Sequence, residues 1–144
     1  MRDLVYYAEL HRDKDGGYWV SFPDVPEALT GGDTKSEALD AALDALVTAL
    51  GGYLEGGRDI PAPKRRKGLY AVPVPPLVAA KLALHVAMRE NAVSGRELAR
   101  RLDLQETAVR RLLDLGHRSH IGEVERALAA LGLRLSIRVE TAAA

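Results

Sequence analysis

The sequence predicts an α+β protein: a small N-terminal antiparallel sheet with one packed helix, then an all-helical segment closed by a single strand. Three observations predict it. Short β-rich runs punctuated by Gly and Pro fill the first 30 residues. A helical period starts behind a capping signature at Thr34 and returns beyond residue 76, and strict apolar–polar alternation reappears at 133–139. Charge follows the same division. Residues 1–60 carry twelve Asp/Glu against five Lys/Arg, net −7, and the remainder is +7, so the 144-residue chain is formally neutral. Opposite fields on two halves imply two different partners, a basic one for the front and a polyanion for the back.

Residues 4–11 are mostly apolar with two tyrosines and read as a strand, Asp15-Gly16-Gly17 as a turn, and residues 18–22 as the returning strand of a hairpin. Pro23 and Pro26 end it, because neither has an amide to give a ladder. Ala28-Leu29-Thr30 before Gly31-Gly32 forms a short third strand. Thr34 and Glu37 then fit a capping box. Leu39, Leu43, Leu46, Leu50 and Leu54 recur at helical spacing and are expected on the sheet. Gly51-Gly52 costs this helix about 1 kcal/mol per Gly, so an early break competes with an end at Gly56-Gly57. Alternation sends Tyr18, Val20 and Phe22 to one face and Trp19, the single Trp, to the other. Trp19 either packs under the helix or stands out as an anchor of the hot-spot type.

Catalysis finds no support in this half. Asp24, Glu27 and Asp33 cluster in one proline-interrupted loop and do not converge from separate elements, as a carboxylate metal site requires. They read as loop and cap residues. His11 lacks a Ser or Cys partner and reads as a solvated edge residue. The glycine pairs form neither GxGxxG nor a P-loop. With no cysteine, disulfides, thiolate metal sites and a Cys nucleophile are excluded. No metal, cofactor or enzymatic activity is expected. Acids within the first ten residues argue against a signal peptide, and no apolar run approaches the ~18 residues of a membrane span. A cytoplasmic protein is the expectation.

The segment Gly16-Gly17-Tyr18-Trp19-Val20-Ser21-Phe22-Pro23-Asp24-Val25-Pro26, followed by Gly32-Asp33-Thr34 and Glu37-Ala38-Leu39, resembles the N-terminal domain of HicB-type antitoxins. The resemblance covers roughly residues 4–62. It departs after Pro26, where Glu27-Ala28-Leu29-Thr30 replaces the family's Gly-Cys/Ala-x-Thr/Ser. The resemblance implies a partial RNase H-like fold without nuclease activity. It also implies a partner, a small basic HicA-type mRNA interferase, and a toxin-binding set of Trp19, Phe22, Asp24, Val25 and Glu27.

Beyond residue 60 the chain turns basic. Residues 63–76 hold Lys64-Arg65-Arg66-Lys67 and four prolines, and read as an extended linker between domains 1–62 and 77–144. Domains of this size have marginal cores and often oligomerise. Residues 77–90 form a helix with Val78, Leu82 and Val86 as its stripe, flanked by Leu77, Leu84 and Met88. Ser94 and Glu97 make a second capping box. Leu98, Ala99 and Leu102 face inward, a turn follows at Asp103, and Val109, Leu112 and Leu113 line the next helix. Two helices this close, with small Ala99 at their crossing, suit a helix-turn-helix. Glu97-Leu-Ala-Arg-Arg-Leu, then Val109-x-Arg111-Leu112, Val124, Ala127-Leu128 and Leu131-Gly132, is similar to the Xre/Cro-type motif. The resemblance is particularly to the form attached to HicB antitoxins, preceded by Ala80-Lys81-Leu82-Ala83-Leu84. Two positions depart from it: Asp103 stands where Gly is usual, and Gln105 where a Ser or Thr cap is usual.

The DNA-facing set is then Arg96, Gln105, Glu106, Thr107, Arg110, Arg111 and Arg118, reaching base edges and phosphates. His117 and His120 have no third ligand nearby and read as a loop over phosphate or solvent. The alternating residues 133–139 need a partner strand, either 69–74 or the same strand of another subunit. The second choice makes the C-terminal half a dimerisation unit, giving a homodimer or higher homo-oligomer. The reading is an antitoxin that covers a basic ribonuclease and represses its own operon by binding double-stranded operator DNA. The alternative is a free-standing repressor whose acidic half senses another ligand or protein.

Overall fold

In the computed structural model, which describes residues 3–142, the chain runs β1 (Val5–Arg12), β2 (Tyr18–Ser21), β3 (Leu29–Gly32), α1 (Lys35–Glu55), β4 (Tyr70–Pro73), α2 (Pro76–Glu90), α3 (Gly95–Leu102), α4 (Glu106–Leu113) and α5 (Ile121–Ala129). Among the described residues the strands make one antiparallel sheet in the order β3-β2-β1-β4. The α+β expectation holds. Gly16, at φ 92°, supplies the left-handed residue of the β1–β2 turn, and the Asp13 amide closes it by donating to the Gly17 carbonyl at 2.7 Å.

Period 2 decides the two faces of the sheet. Tyr6, Ala8, Val20 and the inward Val72 pack toward α1, with Phe22, Val25 and Ala28 filling the end of the layer. α1 opens as its sequence requires: the Glu37 amide donates to Thr34 Oγ1 at 3.1 Å, and the Asp33 amide donates to Glu37 Oε2 at 3.0 Å. The helix lies tight on β3. A Cβ placed on Gly32 would sit 2.7 Å from the Ala38 amide nitrogen, so only glycine allows this approach.

The buried stripe of α1 is Ala38, Ala42, Leu46, Leu50 and Tyr53, with Leu39 and Leu54 at its flank. The spacing of leucines therefore misplaces the stripe's centre by part of a turn, because the small alanines are what let the helix approach the sheet. Gly51-Gly52 does not interrupt it. Leu50 and Tyr53 on either side are buried, worth about 1.5–3 kcal/mol for a large side chain, and this outweighs about 1 kcal/mol per Gly. The end falls at Gly56-Gly57, with Gly57 at φ 63°.

Two sequence expectations need correction. Residues 63–76 are not a free linker: β4 lies within them and pairs with the start of β1, from Val5 opposite Pro73 to Ala8 opposite Tyr70. Among the described residues β4 pairs with β1 alone, so 69–74 is not the partner of 133–139 in the single chain. Residues 133–139 form no strand in the single chain. Leu135 packs against the helices, whereas Ile137 and Val139 are 70% and 93% exposed, and a lone strand finds no ladder partner here.

α2 also departs from its sequence reading. It is buried on nearly every side rather than along one stripe, and it serves two cores. Val78 and Leu82, with Val74, join the sheet–α1 core, whereas Ala80, Ala83, Leu84 and Met88 join the core made by α3, α4 and α5. Leu115, from the α4–α5 turn, crosses over into the sheet–α1 core. Polar tethers reinforce the junction. His85 Nε2 lies 2.7 Å from the Arg58 carbonyl, and Arg89 reaches both the Asp59 carboxylate and the Gly57 carbonyl. The two halves share one framework.

Candidate functional site

Two surfaces carry the candidate residues. The first is the face of the sheet opposite α1. Alternation places Val5, Tyr7, Glu9 and His11 of β1, Trp19 and Ser21 of β2, and Leu29 of β3 on it. Trp19 is 41% exposed and Leu29 62%. Trp19 therefore lies outside the core. It is held rigid: its ring stacks on His11 with centroids 3.7 Å apart, and His11 Nε2 sits 2.8 Å from Ser21 Oγ. His11 is thus a partly buried member of a stack, not a solvated edge residue. A pre-oriented aromatic with an apolar neighbour loses little entropy on contact.

The other proposed toxin-facing residues are placed differently. Phe22 and Val25 are 1% and 0% exposed and fill the core, which alternation already implied for Phe22. Asp24 is engaged within the chain. It accepts the Lys64 amide at 2.9 Å and Arg66 Nη2 at 2.7 Å, which clasps the basic run onto the β2–β3 loop. Burial raises the Asp24 carboxyl, but the Arg66 hydrogen bond, the Lys64 amide and their charges outweigh it and hold the pKa below the ordinary value. Glu27 accepts the Tyr53 hydroxyl at 2.7 and 2.8 Å, and that hydrogen bond lowers its pKa and raises that of Tyr53. Arg58 lies over the Tyr53 ring at 4.1 Å. Tyr6 donates to the Pro61 carbonyl at 2.7 Å, and burial, with Asp24 and Tyr53 nearby, pushes its pKa up to about 12. These groups hold the loop and the 58–66 segment together. Among the described residues no cluster of three His, Cys, Asp or Glu side chains is arranged to hold a metal.

The second surface is the helix pair α3–α4. Ser94 Oγ accepts the Glu97 amide at 3.1 Å, as its position predicts. Asp103 adopts the left-handed conformation, φ 54° and ψ 48°, where glycine is usual; Asp is among the side chains that tolerate it. Gln105 caps α4 in extended geometry without a side-chain bond. Leu98, Ala99, Val109 and Leu112 bury the inner faces. Outward stand Gln105, Glu106, Thr107, Arg110 and Arg111, all exposed, with Arg118 exposed in the following turn. Arg96 Nε lies 4.0 Å from Glu106 Oε1, both side chains largely in solvent, so the pair contributes little. Arg100 and Arg101 are different. Both hydrogen-bond Glu97, at 2.7–3.0 Å, and together lower its pKa to about 2. Arg110, Arg111 and Arg118 form no ion pair among the described residues, which leaves their charge available to an anion. His117 Nδ1 contacts Ser119 Oγ at 3.0 Å, and His120 caps α5 without a side-chain bond.

Reading the residues alone missed two features. Tyr7 and Leu29 belong to the open face, and only the strand register reveals them. Lys81, a lone charge inside an apolar helix, is fully buried, and its Nζ donates to the carbonyls of Arg111, Asp114 and His117 at 2.9, 2.6 and 2.8 Å. Its isolation in an apolar run was the available signal.

Residues 5–83 match the family described as the HicB-like antitoxin of the bacterial toxin-antitoxin system. Similar along nearly the whole chain are three curated proteins. Antitoxin HicB 1 of Photorhabdus laumondii is 40% identical over 140 residues, covering 97% of this chain and 90% of that protein. Antitoxin HicB of Pseudomonas fluorescens is 42% identical over 139 residues, 95% and 94% of the two chains. Antitoxin HicB of Escherichia coli is 42% identical over 135 residues, 93% and 98%.

Proposed function

The chain belongs to the HicB-like antitoxin family, and from that premise we propose that it neutralises a small basic HicA-type mRNA interferase with its acidic half and binds operator DNA of its own operon with α3–α4. The observation that carries this reading is the separation of two surfaces of different chemistry on one framework. An open sheet face centred on Trp19 lies in the half of net charge −7, and an arginine-bearing helix face lies in the half of net charge +7. Work in the cytoplasm is part of the same proposal; among the described residues no helix is long and apolar enough to cross a membrane. The protein acts by occlusion and not by catalysis.

On the toxin side the contact set narrows to Trp19 with Tyr7, His11 and Leu29. Asp24 and Glu27 support the surface indirectly, through Arg66 and Tyr53, and Phe22 and Val25 support it from the core. The acidic half adds long-range attraction, so association slows as salt rises. On the DNA side α4 enters the major groove, Thr107 and Arg110 meet base edges, and Arg96, Arg111 and Arg118 meet phosphates, with Gln105 and Glu106 at the helix start. A pseudo-palindromic operator calls for two copies about 34–36 Å apart. Residues 133–139, which carry apolar Leu133, Leu135, Ile137 and Val139 without a partner strand, pair with a second copy to make that homodimer or a higher oligomer.

Paired variants test both assignments. Trp19→Ala is expected to weaken toxin binding by about 2 kcal/mol or more, as loss of a central aromatic does, and to leave operator binding intact. Arg110→Ala is expected to cost about 1–3 kcal/mol on operator DNA and relax one base position per half-site, with toxin inhibition unchanged. Titrations of each variant against toxin, operator and random duplex decide it. Equal weakening of both duplexes by Arg110→Ala would show that α4 is not the reading helix. Full toxin inhibition by Trp19→Ala would remove the sheet face from the interface.

A further inference from the structure

The sheet–α1 core, the α3–α5 core and the end of α4 meet at one side chain. Lys81 is completely buried in the middle of α2, one turn from Val78 and next to Leu82, which anchor that helix on the sheet core. Its three ammonium hydrogens have three acceptors. Arg111 O belongs to the last turn of α4, Asp114 O to the residue that ends it, and His117 O to the turn that follows. Ser119, 8% exposed, adds a hydroxyl donated to the same Arg111 carbonyl at 3.3 Å, and Asp114 Oδ1 accepts the Gly116 amide at 2.9 Å. Between these fixed carbonyls the chain sends Leu115 into the sheet core.

A buried ammonium is costly, and a helix C-terminus is where it costs least. The final carbonyls of a helix lack intrahelical partners and carry the negative end of its dipole. Three short bonds use the full donor capacity of a lysine. Burial lowers the Lys81 pKa, while the charges of Asp114 and Glu123 oppose that shift and favour the ammonium. A helix of eight residues such as α4 is too short to be stable by itself. Its orientation has to come from what holds its ends.

We infer that Lys81 is a positioning residue for α4: its ammonium pins the end of that helix and the 114–117 turn to α2, and so sets where the exposed Thr107 and Arg110 stand relative to the sheet half. The inference rests on the operator-binding reading for its consequence, but the pinning itself does not. A helix pinned at its end presents its outer residues at one angle. Unpinned, it keeps its charges and loses its aim, so discrimination between sequences suffers more than general attraction to DNA.

The test uses the full chain. K81M keeps the length and removes the ammonium, leaving the Arg111, Asp114 and His117 carbonyls with only their local bonds, from the amides of Asp114, His117 and Ser119 and from the Ser119 hydroxyl. Amide exchange is expected to quicken across residues 108–119 while α1 stays protected. Operator affinity should fall about tenfold or more, the scale of losing hydrogen bonds from a charged donor, with random-duplex affinity much less changed and toxin inhibition retained. Because the sequence has no cysteine, K81C offers a unique thiol. Aminoethylated while unfolded and then refolded, it restores an ammonium of lysine's length and should recover operator discrimination; the carboxamidomethylated form should not. Unchanged exchange at 108–119 in K81M overturns the inference, as does equal loss of protection in α1, which would make Lys81 a general core residue. Failure of the aminoethylated protein to recover also overturns it. If the wild-type protein shows no preference for operator, the DNA-binding reading falls, and the exchange data alone then decide the pinning.

Discussion

A fragment ending at residue 62 is expected to be unfolded and unable to bind toxin, although it contains every residue of the Gly-Gly-Tyr and Phe-Pro-Asp motif. The cut removes β4, which supplies one edge of the sheet through four paired positions on β1. It also removes Val74, Val78, Leu82 and Leu115 from the core around Tyr6 and Leu46, and Arg66 and the Lys64 amide from Asp24. Each buried aliphatic side chain contributes about 1.5–3 kcal/mol. Four such losses reach the whole stability of a small domain, about 5–15 kcal/mol. Circular dichroism with a urea titration checks this: a cooperative transition in the 62-residue fragment would mean that β4 and α2 are dispensable. A match to the antitoxin family that runs on to residue 83 agrees with a unit that includes β4 and the first half of α2.

Leu82→Ala is expected to destabilise the sheet half and the helical half together. Leu82 is fully buried, and truncating such a leucine costs about 2–5 kcal/mol. Its side chain lies in the sheet core, yet its helix carries Ala83 and Leu84 into the other one. Thermal unfolding should therefore stay a single transition at a lower temperature, with amide protection falling equally in β1 and in α3. Protection lost from β1 alone would show that the halves unfold separately.

Much of the fold is legible because local rules and tertiary packing agree. Thr34 and Ser94 cap their helices, Gly16 supplies the hairpin turn, and Asp103 the bend between α3 and α4. What is not legible depends on pairings distant in sequence. Four prolines and a basic run make residues 63–76 look like a linker, yet Tyr70–Pro73 is an edge strand, where a proline need not break a ladder. α2 reads as one-sided by its Val78 and Leu82, because periodicity cannot show that a second core covers its other side with alanines. Among the site residues, strand alternation correctly separates Trp19 from Phe22. It does not show that Asp24 and Glu27 are already satisfied by Arg66 and Tyr53, 42 and 26 residues away.

The stack of Trp19 on His11 also makes the protein its own optical reporter. The chain has one tryptophan, and it stands half-covered on the open sheet face, in the other half of the chain from α4. A protein that covers this face strips the indole of solvent, and its emission moves to shorter wavelength. DNA bound at α4, as proposed, is expected to leave that emission where it was. Unlabelled protein in a cuvette, titrated first with one proposed ligand and then with the other, is thus expected to report which of its two faces is occupied.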